Sequence, residues 1–157
     1  MSVRPAASRA EPQAFAKTPV KRSAKARVRN TVTRNSAKPR ILVVDDVADV
    51  TEMIALFLKH AGFDVRTANS AINALQITSQ DRFDLIISDI GMPEMNGYDL
   101  AASLRKSDAY HAIPMIAVTG YTEYDDRGRS LEAGFNAHLT KPINPSRLLA
   151  LIGDLLA

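Results

Sequence analysis

The residues of this chain that could do chemistry stand directly after short apolar runs. Asp45 and Asp46 follow ILVV, Asp89 follows LIIS, Thr119 follows MIAV and Lys141 follows AHLT. Neighbouring carboxylates repel each other, and a divalent cation removes that repulsion. Mg²⁺ favours oxygen ligands, typically one or two carboxylates together with phosphate oxygens. The set therefore suits a metal ion beside a phosphoryl group, with the lysine and the threonine as further partners and a carboxylate as a covalent acceptor.

The elements that must position these residues alternate between strand and helix patterns from Arg40 onward. Uninterrupted apolar runs are typical of parallel strands covered on both faces, and apolar residues at helical spacing follow them. The predicted strands are Ile41–Val44, Asp64–Ala68, Asp84–Ser88, Pro114–Val118 and Ala137–Thr140. The predicted helices cover about 47–61, 70–80, 98–106, 124–133 and 145–156. Five such units predict an α/β fold with an open, doubly wound parallel sheet, whose strands all end at one edge.

The two parts of the chain differ sharply in charge. Residues 1–40 contain eleven Lys or Arg and one acid, Glu11, whereas the remainder contains nine Lys or Arg and sixteen acids. Residues 1–38 are poor in large apolar side chains, so we expect a disordered basic tail, followed by a domain over residues 39–157. The tail can be a plain solvated extension, or it can contact nucleic acid, anionic lipid or an acidic partner.

Composition narrows the class of protein further. The chain has no cysteine, which excludes disulfides and thiolate metal sites, and 46% of its residues are apolar. No apolar run approaches the roughly 18 residues of a membrane span, so we expect no membrane insertion. A reducing, cytoplasmic location suits this composition.

Four signatures follow one another along the chain, each at the end of a predicted strand. They are VVDD, ISDIGMPEMNGYDL, IAVTG and LTKPI. Together they resemble the receiver domain of two-component response regulators, and the resemblance covers about three quarters of the chain, from Arg40 onward. It implies a flavodoxin-like five-stranded sheet in the order 2-1-3-4-5, which makes the first and third strands neighbours. The carboxylates at the ends of those two strands would then share one crevice.

The resemblance also implies a magnesium site. Asp46 would bind Mg²⁺ directly, and Asp45 would assist, often through water. Asp89 and the backbone carbonyl of Gly91, two residues further on, would complete the protein ligands.

A second set of roles concerns the phosphoryl group. By resemblance, Asp89 would accept it from the phosphohistidine of a histidine kinase. Thr119 would donate a hydrogen bond to it, and Lys141 would pair with it. The Lys141–Pro142 peptide bond is expected to be cis, as in the family.

His138 is the clearest departure from the family pattern. Receiver domains commonly carry Tyr or Phe three residues before the lysine, where that ring couples to the threonine. Thr119 and His138 are therefore the predicted switch residues. The histidine can simply pack there as a flat ring, or it can make signalling altered or sensitive to pH.

The function that we expect is that of a single-domain response regulator, because no output domain follows the predicted last helix. It would take phosphate from a sensor histidine kinase or a histidine phosphotransfer protein, hydrolyse it slowly and otherwise not act as an enzyme. Signalling or relay would use the face formed by the fourth helix, fifth strand and fifth helix, and a weak homodimer is compatible with this. The alternatives are a phosphorylation-inert scaffold that acts through the basic tail, and a metal-dependent phosphatase.

Blander explanations exist for each site residue taken singly. Asp45 or Asp46 alone could be a helix N-cap, and Asp89 alone could be a turn residue. For all of these residues to have only such ordinary roles, the separate roles would have to coincide at one edge of one sheet. A phosphatase of the haloacid-dehalogenase type needs a second Asp two places after the first, where this chain has Val47, and no P-loop is present.

Overall fold

The structure, a computed structural model, describes residues 37–120 and 125–157. Most of the predicted disordered tail, residues 1–36, and the predicted helix start at Tyr124 therefore lie outside the described residues. The strands are β1 (Arg40–Val44), β2 (Asp64–Ala68), β3 (Leu85–Asp89), β4 (Met115–Thr119) and β5 (Ala137–Thr140). The helices are α1 (Ala48–His60), α2 (Ala71–Gln80), α3 (Gly97–Arg105), α4 (Asp125–Ala133) and α5 (Pro145–Leu156).

The five strands form one parallel sheet in the order β2-β1-β3-β4-β5. The predicted doubly wound α/β fold and its flavodoxin-like strand order are confirmed. Val44 pairs with Ser88, Asp89 with Val118, and Thr119 with Thr140. Because the strands run parallel in this register, the residues that end β1, β3, β4 and β5 meet at one edge of the sheet.

Two apolar layers cover the faces of the sheet. Alternate residues of each strand point to opposite faces, so Ile41 and Val43 join one layer while Leu42 and Val44 join the other. The first layer packs against the apolar side chains of α1 and α5, including Ile54, Leu58, Leu148 and Ile152. The second packs against those of α2 and α3, including Ala71, Ala74, Leu100, Ala101 and Leu104. Burial on both faces explains why the central strands β1, β3 and β4 are mostly apolar, whereas the edge strands β2 and β5 carry polar residues.

Side-chain caps set the starts of three helices. Ser70, Asn96 and Asn144 each accept a hydrogen bond from the backbone N–H three residues further on. Such caps stabilise a helix by about 1 kcal/mol. The caps at Asn96 and Asn144, the second followed by Pro145, fix the loops that leave β3 and β5. These are the loops that follow Asp89 and contain Lys141.

Arg105, the last residue of α3, ties together the loops at the opposite edge of the sheet. Its guanidinium donates to the carbonyls of Tyr110, Ile113 and Gly134 and to the side-chain oxygen of Asn136, at 2.6–3.0 Å. Burial lowers the pKa of this guanidinium. Gly134, with φ +114°, directly follows α4. The guanidinium therefore joins the end of α3 to the end of α4.

Membrane crossing needs a helix of sufficient length and hydropathy. Within residues 37–120 and 125–157 no helix meets that requirement.

Candidate functional site

Three carboxylates come together at the carboxyl edge of the sheet. One oxygen from each of Asp45, Asp46 and Asp89 lies within 4.8 Å of the others. Asp45 and Asp89 are buried, with 3% and 7% of their surface exposed, whereas Asp46 is exposed. The structure thus brings together the three carboxylates that the sequence placed after the first and third strands.

Asp45 uses its two oxygens for different purposes. Oδ1 accepts a hydrogen bond from the N–H of Val47 at 2.9 Å, and Oδ2 accepts one from Nζ of Lys141 at 3.0 Å. The N-cap residue of α1 is Val47, which makes no side-chain capping bond. A simple N-cap role therefore does not describe Asp45, because one of its oxygens faces the site.

Lys141 reaches back from the end of β5 to the carboxylates. Its Nζ lies 3.0 Å from Asp45 Oδ2 and 3.5 Å from Asp89 Oδ1. Its backbone N–H donates to the carbonyl of Thr119 at 2.7 Å, and the bond to Pro142 is cis, as predicted. Burial alone would lower the pKa of this ammonium, but the hydrogen bond to Asp45 and the charge of Asp89 outweigh it and raise the pKa. Lys141 is consequently a fixed positive charge.

The charge balance at Asp89 remains unfavourable despite this ammonium. Burial raises the pKa of the Asp89 carboxyl, and the neighbouring charge of Asp45 raises it further. Lys141 and the backbone N–H of Ile90 oppose this rise without cancelling it. Three carboxylates facing one ammonium leave an excess of negative charge on closely spaced oxygen atoms. That donor set fits a hard divalent cation.

The other predicted site residues lie around this cluster. Gly91 is in the exposed loop after β3, where the carbonyl of Ile90 accepts hydrogen bonds from the N–H groups of Met92 and Gly97. Thr119 ends β4 and is completely buried. Both are therefore at the same edge of the sheet as the carboxylates.

His138 occupies β5 on the side of the sheet that faces α4. It pairs with Ala117, two residues before Thr119, so His138 and Thr119 point to the same face. Its Nδ1 lies 3.3 Å from the hydroxyl of Ser130 on α4. The predicted switch residues therefore share one face of the sheet, and one of them contacts α4.

Two cavities formed by described residues lie beside the sheet. One, of about 420 Å³, lies between α1 and the loop after β5, and its lining is mostly apolar. It is lined by Val50, Met53, Ile54, Phe57, Lys141, Pro142, Ile143, Pro145 and Leu148. The other, of about 230 Å³, is formed by α4, β5 and α5 and includes Leu131, His138 and Arg147. Lys141 thus belongs both to the carboxylate site and to the first cavity.

Sequence reasoning missed the first cavity and the close packing of Gly97 at the start of α3. The cavity had a signal in the sequence, because Met53, which lines it, is a large apolar residue outside the apolar stripe of α1; it is 66% exposed. The close packing of Gly97 had a weaker signal, which is the presence of a glycine directly after the N-cap Asn96. Neither signal shows which other element of the fold packs against the residue.

Comparisons with known proteins identify the family of this chain. Residues 41–153 match the family model of the response regulator receiver domain. The probable transcriptional regulator ycf29 of Pyropia yezoensis is 38% identical over 118 residues, which cover 75% of this chain and 53% of that protein. The structure of the chemotaxis response regulator CheY4 of Vibrio cholerae has a TM-score of 0.72 and 32% identity, and the match covers 76% of this chain and 100% of that one.

A further solved structure is the receiver domain of the sensor histidine kinase PA1611 from Pseudomonas aeruginosa PAO1, with a magnesium ion coordinated in its active site cleft. It has a TM-score of 0.71 and 28% identity, and the match covers 76% of this chain and 98% of that one. The chain spans about half the length of the transcriptional regulators among its curated relatives. On the match of the family model and these identities, the chain belongs to the family of response regulator receiver domains of two-component signalling.

Proposed function

We propose that this receiver domain accepts a phosphoryl group on Asp89 in a Mg²⁺-dependent reaction. The observation that carries the proposal is the arrangement around Asp89. The buried carboxylate lies 3.5 Å from the ammonium of Lys141, and carboxylate oxygens of Asp45 and Asp46 are within 4.8 Å. A carboxylate acceptor, a cation site and a fixed ammonium are the parts that phosphoryl transfer to an aspartate requires.

The metal site would use oxygen atoms of this cluster. The carboxylates of Asp46 and Asp89 and the carbonyl of Gly91 would hold Mg²⁺, and Asp45 would support them. When bound, Mg²⁺ would neutralise charge on the phosphoryl oxygens. The excess of carboxylates over ammonium at the site supports this assignment, because a cation would offset the burial and the repulsion from Asp45 that raise the pKa of Asp89.

The transfer itself would use three side chains. An oxygen of the ionised Asp89 carboxylate attacks phosphorus while the bond from phosphorus to the donor imidazole nitrogen breaks, and the imidazole keeps that electron pair. The products are an acyl phosphate on Asp89 and a free histidine on the donor. Lys141 pairs with one phosphoryl oxygen, and the Thr119 hydroxyl donates a hydrogen bond to another. The site is therefore an acceptor that does not turn over a separate substrate.

The protein that supplies the phosphoryl group would be a histidine kinase or a histidine phosphotransfer protein. We assign its docking to the apolar cavity between α1 and the loop after β5. Lys141 lines both this cavity and the carboxylate site, so a partner seated there has its donor group beside Asp89. The exposed Met53 gives that partner an apolar contact.

Output would use the face of α4, β5 and α5. The cavity on this face includes Leu131, which is 59% exposed, and His138, which contacts Ser130 of α4. Since His138 and Thr119 share one face of the sheet, a new hydrogen bond from Thr119 to the phosphoryl group can alter the packing of α4. The domain that does this would comprise residues 39–157.

The test is incubation with Mg²⁺ and acetyl phosphate, read by intact mass. We expect the wild type to gain the mass of one phosphoryl group, and Asp89→Asn, or wild type with the metal removed by EDTA, to gain none. Asp154→Asn, which changes an exposed carboxylate on α5, is the matched control and should react like the wild type. No gain in the wild type, or an equal gain in Asp89→Asn, would overturn the proposal.

A further inference from the structure

The first residue of α3 packs directly on the backbone that carries the acceptor. Gly97 is buried, and its N–H donates to the carbonyl of Ile90 at 2.9 Å. An ideal Cβ at this position would lie 2.3 Å from the carbonyl oxygen of Asp89 and 2.9 Å from Cα of Ile90. Both contacts are with backbone atoms, which cannot swing aside as the end of a flexible side chain can. Only glycine therefore allows α3 to approach the end of β3 this closely.

The segment that carries Asp89 is also held from other directions. The hydroxyl of Ser88 donates to the same Asp89 carbonyl at 2.8 Å, and Ser88 is buried. The N–H of Ile90 donates to the carbonyl of Val118 in β4 at 3.0 Å. A methyl group at position 97 would therefore have to displace α3 or this segment by about 1 Å to restore an ordinary contact of 3.4 Å, against bonds that fix both.

α3 has little freedom to move away. The side chain of Asn96 accepts a hydrogen bond from the N–H of Asp99 and fixes the first turn. Leu100 and Leu104 are buried beneath the helix, and Arg105 at its end makes the hydrogen bonds to two neighbouring loops. The displacement would consequently fall on Asp89 and on the loop that contains Gly91.

We propose that Gly97 is a positioning residue for the phosphoryl acceptor, an inference that rests on the proposed phosphorylation of Asp89. Its backbone contact sets the distance of the Asp89 carboxylate from Lys141 and the place of the Gly91 carbonyl in the metal site. The action is steric, because among the described glycines positive φ angles occur at Gly62 and Gly134 and not at Gly97. A displacement of about 1 Å in a reacting group can cost roughly 100-fold in rate.

The test compares Gly97→Ala with Gly153→Ala, a change in α5 where an added Cβ meets no atom within 4 Å. The rate of phosphorylation by acetyl phosphate is followed by intact mass over a series of Mg²⁺ concentrations. For Gly97→Ala we expect a rate about 100-fold below wild type and a higher half-saturating Mg²⁺ concentration, with Gly153→Ala unchanged. Partial unfolding alone would lower the rate by the folded fraction and raise the half-saturating Mg²⁺ concentration by its reciprocal. Circular dichroism measures that fraction, and only a change larger than it accounts for supports the inference.

A second variant is needed if circular dichroism shows that Gly97→Ala does not fold. Ser88→Ala removes the other contact to the Asp89 carbonyl and should slow phosphorylation about tenfold in a folded protein. A folded Gly97→Ala with the wild-type rate and Mg²⁺ dependence would overturn the inference, as would an unfolded Gly97→Ala beside a Ser88→Ala that behaves like wild type. No phosphorylation of the wild type would instead overturn the proposed function, and with it this inference.

Discussion

The carboxyl of Asp89 makes the stability of the protein depend on pH when no metal is bound. Its pKa is raised above the ordinary 3.8 by burial and by the charge of Asp45. A carboxyl whose folded-state pKa is raised binds its proton more tightly in the folded than in the unfolded state. The ionised form therefore destabilises the fold, fully above the raised pKa and not at all below about 3.8.

We predict that Asp89→Asn raises the free energy of unfolding at neutral pH in EDTA, because it removes a buried charge beside Asp45. The gain should shrink as the pH falls through the raised pKa towards 3.8, where the wild-type carboxyl is itself neutral. Urea unfolding at a series of pH values measures it, with Asp154→Asn as the control. A wild type more stable than Asp89→Asn at neutral pH would contradict the electrostatic assignment.

For individual residues, the sequence was enough to predict which residues form the site, but not which contacts they make. Asp45, Asp46, Asp89 and Lys141 stand after apolar runs, and the carboxyl ends of parallel strands must share an edge. The division of labour between the two oxygens of Asp45 depends on where Val47 and Lys141 lie in three dimensions. That arrangement follows from packing and leaves no local pattern.

Among the elements, α1 carries two large apolar side chains that are exposed, Met53 and Leu56. We predict that Met53→Glu slows transfer from a histidine kinase that phosphorylates the wild type by about tenfold or more, the loss expected when a contact worth over 1 kcal/mol is removed from an interface. Acetyl phosphate needs no docking surface, so its reaction with Met53→Glu should keep the wild-type rate. Kinase and acetyl phosphate reactions followed side by side measure both.

The control for this prediction is Leu131→Glu, which places the same charge on α4, at a residue that is 59% exposed. It should accept phosphate from both donors at the wild-type rate, because α4 is assigned to output. If both variants slow the kinase reaction equally, or if Met53→Glu also slows the acetyl phosphate reaction, α1 is not the docking surface.

Element boundaries show where sequence patterns end. The bounds of β2 and β5 agree with their predictions, whereas β3 and β4 are each shifted by one residue along the chain, so that they end at Asp89 and Thr119. Periodicity ends a strand at its last apolar residue, but Asp89 still pairs with Val118, and Thr119 with Thr140. The site residues therefore belong to the sheet itself. The strand order came from family resemblance, since periodicity carries no information on which strands are neighbours.

For the molecule as a whole, a ligand that binds only the folded state stabilises it. At a Mg²⁺ concentration 100 times its dissociation constant, the free energy of unfolding of the wild type should rise by about 2.7 kcal/mol. Asp46→Asn should abolish most of this increment. Urea unfolding with and without Mg²⁺ measures the increment, and an undiminished increment in Asp46→Asn would contradict the metal assignment.

The same measurement tests the bounds of the domain. If residues 39–157 form the domain, a chain of those residues should show the same increment as the full chain.

The hydrogen bonds of Arg105 have a mechanical consequence for α4. They fasten the carbonyl of Gly134, immediately after that helix, to the end of α3. A movement of α4 that keeps these bonds is a rotation about Gly134, so this end acts as a hinge and the opposite end, at Asp125, travels furthest. Nine residues make a lever arm of about 13 Å, and a swing of about 10° would carry its tip roughly 2 Å. This tip lies at the same edge of the sheet as Thr119, so changes beside Thr119 would act on the end of α4 that is free to move.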